Sequence, residues 1–200
     1  DVDALNATKL VGSDKTVEEM RQELVLAIGE NMKVRRFERV EGQIATYIHG
    51  GGTVGVLVQF DTDDATAATD AFKAMGKDVA MQIAAMNPLY LDEASVPAEV
   101  IAHEKEILAV QIKEDPKMAS KPEKVIEGII SGKIKKYYKE NCLVDQEFVK
   151  NGDFTVGSYI ASVAKEIGAS ITPVKFIRYA KGEGLQKRED NFADEVASMM

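Results

Sequence analysis

Two histidines, His49 and His103, and a lone cysteine, Cys142, are the side chains best suited to nucleophilic or metal chemistry in this 200-residue chain. Nucleophilic catalysis needs a nucleophile, a base beside it and a group that orients the base. The two histidines are far apart in sequence, and the cysteine sits in a segment rich in lysine and glutamate, so neither a Cys/His nor a Ser/His pair can be argued. His103-Glu104-Lys105-Glu106-Ile107 imitates the first half of a zinc-protease helix but lacks a second histidine one turn on. Gly50-Gly51-Gly52-Thr53 resembles a phosphate loop only in its glycines. No Gly-Lys-Ser/Thr follows, and the run leads into a strand pattern instead of a helix N-terminus. Its reading is a hairpin hinge. Carboxylate pairs are plentiful in an acidic chain and carry no specificity. The expectation is a protein without catalytic residues, metal ligands or cofactor.

The elements that position these residues follow from periodicity. Thr16 and Glu19 have capping-box spacing ahead of a stripe of Val17, Met20, Leu24 and Ala27, and Gly29 is placed to end that helix. Met32 to Val40 alternates as a strand does, Glu41-Gly42 is a turn, and Gln43 to His49 and Thr53 to Phe60 read as two further strands. Asp61 to Asp64 can cap a helix with Ala68, Phe72, Met75, Val79, Ile83 and Met86 on one face, ended by Pro88. Gly76 within it marks close packing.

From Pro97 to Glu114 a charged helix carries a broken seam of Val100, Ile101, Ile107, Leu108 and Ile112. Ser120 and Glu123 supply another capping-box spacing for a second helix bearing Val125, Ile126, Ile129, Ile130, Ile134 and Tyr137. At about 1.5 Å per residue each helix is roughly 25–30 Å long, and a short turn makes them an antiparallel hairpin projecting from the body. Lys133, Lys135, Lys136 and Lys139 cluster near the second helix's C-terminus, where the reading is a solvated face matched to the helix dipole, with nucleic-acid contact as the alternative. After an irregular stretch from Leu143 to Asp153, Thr155 to Ile167 is an amphipathic helix and Ile171 to Lys181 a strand. Pro173 places the start of that strand at an edge or before the ladder begins. Asp190 to Met200 can form a last helix with Phe192, Val196 and Met199 on one side.

The fold class expected is α+β: small antiparallel three-stranded sheets packed against helices in two layers, with an inserted helical hairpin of coiled-coil type and a C-terminal helix. The expected division is 1–41 for a helix plus strand, 42–96 with 142–184 for a second core unit, 97–141 for the hairpin, and 185–200 for a C-terminal module.

A formal charge of −8 argues against nucleic acid and anionic membrane as primary partners. No apolar run approaches membrane-spanning length, and no secretory signal opens the chain. The single cysteine excludes an internal disulfide framework and fits a reducing, cytoplasmic setting. The chain begins at Asp1 and not Met, which fits a fragment.

Several motifs occur in a fixed order: Ile28-Gly29-Glu30-Asn31, Arg35-Arg36, Glu41-Gly42, His49-Gly50, Gly55-Val56-Leu57-Val58, and Met81-Gln82-Ile83-Ala84-Ala85-Met86-Asn87-Pro88. Val125-Ile126-Glu127-Gly128 with Lys135-Lys136, Thr155-Val156-Gly157, Phe176-Ile177-Arg178-Tyr179, Gly182-Glu183-Gly184 and Asn191-Phe192-Ala193-Asp194-Glu195-Val196-Ala197 continue the series. In this order the chain resembles bacterial elongation factor Ts along its whole length.

The resemblance implies guanine-nucleotide exchange on elongation factor Tu during protein biosynthesis. It also implies contact with that partner through Ile28-Gly29, through His49-Gly50, and through the helix bearing Phe192, Val196 and Met199. On the residues alone, Ile28 reads first as a buried helix end, His49 as a satisfied strand-end histidine, and the last helix as packed on its own sheet. Family members carry a three-helix N-terminal domain and a Thr-Asp-Phe-Val segment that acts near the partner's magnesium site. Neither occurs in these 200 residues, so the expectation is a truncated factor that keeps a binding surface with reduced exchange activity. The alternative is a protein that dimerises or scaffolds through the helical hairpin without exchange activity.

Overall fold

The computed structural model describes residues 1–115 and 120–185, which fall into two compact units that divide between Glu41 and Gly42. In the first unit, α1 (Val2–Ala7) is capped by Asp1, whose carboxylate accepts from the Ala4 N–H at 2.7 Å. Helix α2 (Val17–Ile28) begins with the capping box read from the sequence: Thr16 accepts from the Glu19 N–H and the Glu19 carboxylate accepts from the Thr16 N–H. Two orphan donors of the first turn are thereby satisfied reciprocally. Gly29 closes the helix at φ 79°, a left-handed value that a Cβ disfavours. A short bridge, Lys9 to Thr16, and a Val17 N–H bond to the Thr8 carbonyl at 3.0 Å fasten α1 to α2.

Met32 to Val40 is not a strand. Its alternation supplies the propensity, but a strand also requires a neighbour to share its backbone groups, and none among the described residues pairs with it. The start of the segment is tied to α2 instead, by the Arg21 guanidinium donating to the Met32 carbonyl at 2.6 Å.

The second unit is the α+β body. Strands β1 (Gln43–His49), β2 (Val54–Asp61) and β3 (Thr172–Ala180) form one antiparallel sheet in the order β1-β2-β3. Pro173 lacks an N–H for the ladder, and the register slips where Gln59 faces Lys175 but Phe60 faces Pro173. Chain that reads as one helix after Asp61 is two: α3 (Asp64–Ala68) and α4 (Asp70–Met86). Thr69 breaks it. In extended conformation it ends α3 and accepts from the Phe72 N–H as the N-cap of α4.

Helix α4 lies on β1 and β2, and α7 (Val156–Glu166) lies on α4. The stripe Phe72, Met75, Val79 and Ile83 meets Val56, Val58 and Phe60 of β2, together with Leu143, Phe148, Val156 and Ile160. Phe60 and Phe72 meet edge to face at 5.4 Å between centroids. Tyr159 of α7 stacks on Phe148 at 4.3 Å and donates to Asp78 of α4, and burial pushes its hydroxyl pKa up to about 12.

Inserted between α4 and α7 are α5 (Ala98–Glu114) and α6 (Glu123–Asn141), packed together with Ile112 and Ile134 buried in their seam. Glu104 and Leu108 of α5 and Lys133 and Tyr137 of α6 line one groove between the two helices. Ser120 does not cap α6; Pro122 occupies the N-cap position with no side-chain bond. The pyrrolidine ring keeps the preceding Lys121 out of the helical region, so the helix cannot start at Ser120.

At the centre of the body is a buried amide pair. Gln82 of α4 donates to the Gln146 side-chain carbonyl at 3.2 Å and to the Glu147 backbone carbonyl at 3.0 Å, and accepts from the Val149 N–H at 2.9 Å. Gln146 in turn donates to the Glu140 carbonyl near the end of α6 at 2.9 Å. Both amides are nearly inaccessible.

Two stability predictions follow from this packing. Gln82→Leu leaves buried donors and acceptors unpaired, and lowers stability in urea unfolding by about 2–4 kcal/mol. A Cβ added at Gly76 falls 2.7 Å from the Ala45 Cβ of β1. Replacing glycine by alanine inside a helix gains about 1 kcal/mol in propensity, whereas overpacking costs about 1–3 kcal/mol. Gly76→Ala therefore lowers the unfolding midpoint.

Candidate partner-binding surface

The turn joining β1 to β2 is built around one carbonyl. The His49 backbone oxygen accepts from the N–H groups of Gly52 at 3.1 Å and Thr53 at 3.0 Å, and from the Thr53 hydroxyl at 3.1 Å. Gly50, Gly51 and Gly52 all have positive φ, and a Cβ on Gly50 would sit 2.4 Å from the Thr53 hydroxyl oxygen. The glycines are required by a tight, hydrogen-bonded turn, which is a more fixed object than a hinge. The turn is stitched to the end of β3 by the Lys181 N–H donating to the Thr53 carbonyl at 2.8 Å.

His49 stands exposed at the end of β1. Residues i and i+2 of a strand share a face, and here the Tyr47 hydroxyl lies 3.0 Å from His49 Nδ1, with ring centroids 5.9 Å apart. Tyr47 itself packs against the core. The imidazole is thus held by a ring anchored in the body. On the opposite face Ile48 is 66 % exposed and its Cδ1 lies over Gly55 of β2. Ile48 and Tyr47 were not singled out from the sequence, although the period-2 pairing of Tyr47 with His49 was available as a signal.

Ile28 is the last residue of α2 in the first unit and is 57 % exposed, and Gly29 follows as the left-handed cap. Leu26 is also exposed, and no side chain of residues 1–41 is fully buried. The reading of Ile28 as a buried helix end is excluded. Phe192, Val196 and Met199 lie outside the described residues.

Other chemistry finds few assembled parts. Cys142 is fully buried, and burial pushes its thiol up to about 11, which suppresses the thiolate that nucleophilic attack needs. His103 is exposed on α5. Among the described residues no group of three or more His, Cys, Asp or Glu side chains is placed to hold a metal ion, and no helix is long and apolar enough to cross a membrane. Lys133, Lys135, Lys136 and Lys139 are exposed along α6, where Lys136 pairs with Glu140 at 3.5 Å.

Comparison with known proteins agrees with the ordered motifs. A family model described as "Elongation factor TS" matches residues 1–183. Elongation factor Ts of Clostridium perfringens (strain SM101 / Type A) is 46 % identical over 201 residues, covering 99 % of this chain and 64 % of that protein. The protein of the same name from Clostridium kluyveri (strain ATCC 8527) is 45 % identical over 199 residues, covering 98 % of this chain and 63 % of its own length. The one from Clostridium botulinum (strain ATCC 19397 / Type A) is 46 % identical over 196 residues, covering 96 % and 61 %. The chain thus spans somewhat less than two thirds of the curated relatives it matches. With a family match over nearly the whole chain and this level of identity, the chain belongs to the elongation factor Ts family.

Proposed function

We propose that this chain acts in translation elongation as a guanine-nucleotide exchange factor for elongation factor Tu, working in the cytoplasm by protein contact and without catalytic residues or cofactor. The observation that carries the reading is the family match over residues 1–183. The geometry of the His49 turn is consistent with it. An exchange factor acts by binding the nucleotide-free partner better than the nucleotide-bound one, and linkage makes nucleotide and factor lower each other's affinity by the same factor. Such a factor needs exposed side chains on a scaffold that does not yield. His49 and Gly50 at the sheet tip, and Ile28 and Gly29 at the end of α2, are the contacts assigned to these residues; Phe192, Val196 and Met199 complete the set. The Thr-Asp-Phe-Val segment implied to drive release is not among these 200 residues, so the chain alone binds elongation factor Tu and speeds release only weakly.

Release of a fluorescent GDP from purified elongation factor Tu, titrated with the 200-residue chain, tests this. The expected result is saturable binding with modest acceleration. His49→Ala weakens the half-saturating concentration roughly tenfold, the size of an ordinary interface anchor, with the melting temperature unchanged. Absence of binding overturns the proposal, and full acceleration overturns the reduced-activity part of it.

A second reading is favoured by one observation: Ile107, Val110 and Val125 remain exposed on the hairpin, Val110 by 54 %. Self-association through α5 and α6 would cover them. Light scattering with and without Pro97 to Glu140 separates the two. A dimer that becomes monomeric on deletion supports hairpin association, and a monomer in both cases removes it.

A further inference from the structure

His49, at the sheet tip, has two ring nitrogens, and the body of the protein engages one of them. Strand β1 puts Tyr47 and His49 on one face two residues apart, and the Tyr47 hydroxyl lies 3.0 Å from His49 Nδ1. Tyr47 faces the buried Val56 across the β1–β2 register and its ring packs against the core, so the hydroxyl approaches from a fixed direction. Among the described residues neither that hydroxyl nor Nε2 has a further partner. Nδ1 is the nitrogen beside the stem of the side chain, and Nε2 is at the far edge of an exposed ring. The main chain beneath the ring is fixed as well, since the His49 carbonyl accepts from the Gly52 and Thr53 N–H groups and from the Thr53 hydroxyl.

We propose, resting on the reading of His49 as a contact to elongation factor Tu, that Tyr47 sets the tautomer and direction of that contact. The Tyr47 hydroxyl donates to Nδ1, the ring proton is on Nε2, and the N–H so presented meets an acceptor oxygen, a carbonyl or carboxylate, on the partner. A neutral imidazole carries one N–H and one lone pair, and the bond made by one nitrogen decides the state of the other. With the proton on Nδ1, the ring would donate to a phenol oxygen whose lone pair is drawn into its own ring. The phenol proton would then have no acceptor among the described residues. The opposite sense satisfies both groups with one bond, because phenol is the stronger donor and the bare imidazole nitrogen the stronger acceptor.

Tyr47 is in this sense a positioning residue. Turning the imidazole half a revolution about its stem exchanges Nδ1 with one ring carbon and Nε2 with the other, so an untethered ring points a C–H edge where the N–H should be. The bond to Nδ1 excludes that turn and removes orientational freedom before docking, which lowers what binding must spend on ordering the side chain. The other tautomer would present a bare acceptor at the same place and suit a donor on the partner instead.

Two measurements on the 200-residue chain test this. Ring-nitrogen chemical shifts, recorded at about pH 8.5 where an ordinary histidine is neutral, report the tautomer with no partner present. The expected parent spectrum has the His49 proton on Nε2, and Tyr47→Phe, which keeps its ring in the core, moves both nitrogens toward the average of exchanging tautomers. A proton on Nδ1 of the parent, or His49 ring shifts that Tyr47→Phe leaves unchanged, overturns the proposal. In titrations of fluorescent-GDP release from elongation factor Tu, Tyr47→Phe raises the half-saturating concentration about threefold, the size of one modest hydrogen bond. It has no further effect in a His49→Ala background, because it acts through the imidazole. His49→Gln, whose amide carries an N–H to a similar reach, stays closer to the parent than His49→Ala, whereas His49→Glu, which offers only acceptors, binds no better than His49→Ala. An equal loss from Tyr47→Phe with and without His49 overturns the positioning role, and His49→Glu binding as well as His49→Gln overturns the donor. Failure of the parent to bind overturns the contact on which the acceptor oxygen rests, while the ring shifts still decide what Tyr47 does to His49.

Discussion

The body of this protein depends on two amides that water does not reach. Gln82 is the polar member of an otherwise apolar helix face, and all three of its bonds go to the segment that follows the hairpin. Gln146 passes the connection on to the end of α6, and its backbone carbonyl accepts the Val156 N–H that starts α7. A single pair therefore joins the sheet-packed helix, the second hairpin helix and the helix of the outer layer. Buried amides are costly when unpaired, so this network favours one arrangement of the three elements over sliding alternatives. Greasy packing alone would not discriminate among them as sharply.

What that arrangement supports is presentation. Helix α4 is pinned from one side by Gln82 and meets β1 and β2 through Met75, Val79 and the close approach at Gly76. Strand β1 then carries Tyr47 inward and His49 to its tip, where three donors to one carbonyl hold the glycine turn. A factor that acts by differential binding can shift a partner's equilibrium only by the difference in its affinity for two states, and a yielding scaffold would absorb that difference. The same body attaches the hairpin through a single parallel bridge, Tyr90 to Cys142, a narrower joint than the core contact.

Much of this was legible in the sequence, and the reasons are local. The Thr16–Glu19 box, the Gly29 cap, β1 from Gln43 to His49 and the stripe from Phe72 to Ile83 are all set by contacts within a turn or a pairing. The family, too, could be read from ordered motifs, and the match over residues 1–183 agrees. Met32 to Val40 misled because alternation states which faces a strand would have and not whether a partner exists. Ser120 misled because the constraint lies in Pro122, two residues on. Gln82 could not be recognised as the centre of the fold, since a glutamine reads as surface until Gln146, 64 residues away, supplies its partner. The i, i+2 spacing puts Tyr47 on the face of His49, but that the two side chains bond is visible only in the structure. The roles of Ile28, His49 and the residues from Phe192 onward come from resemblance, and the exposure of the first two is compatible with them.

The central proposal is that the sheet tip and the end of α2 meet elongation factor Tu, and none of the contacts proposed for this chain lies on the hairpin. Amide hydrogen exchange of the 200-residue chain, alone and with nucleotide-free elongation factor Tu, tests it most directly. The account predicts new protection at residues 28–31 and 48–54, with α5 and α6 unchanged. Protection confined to α5 and α6, with the His49 turn exchanging as before, would contradict it.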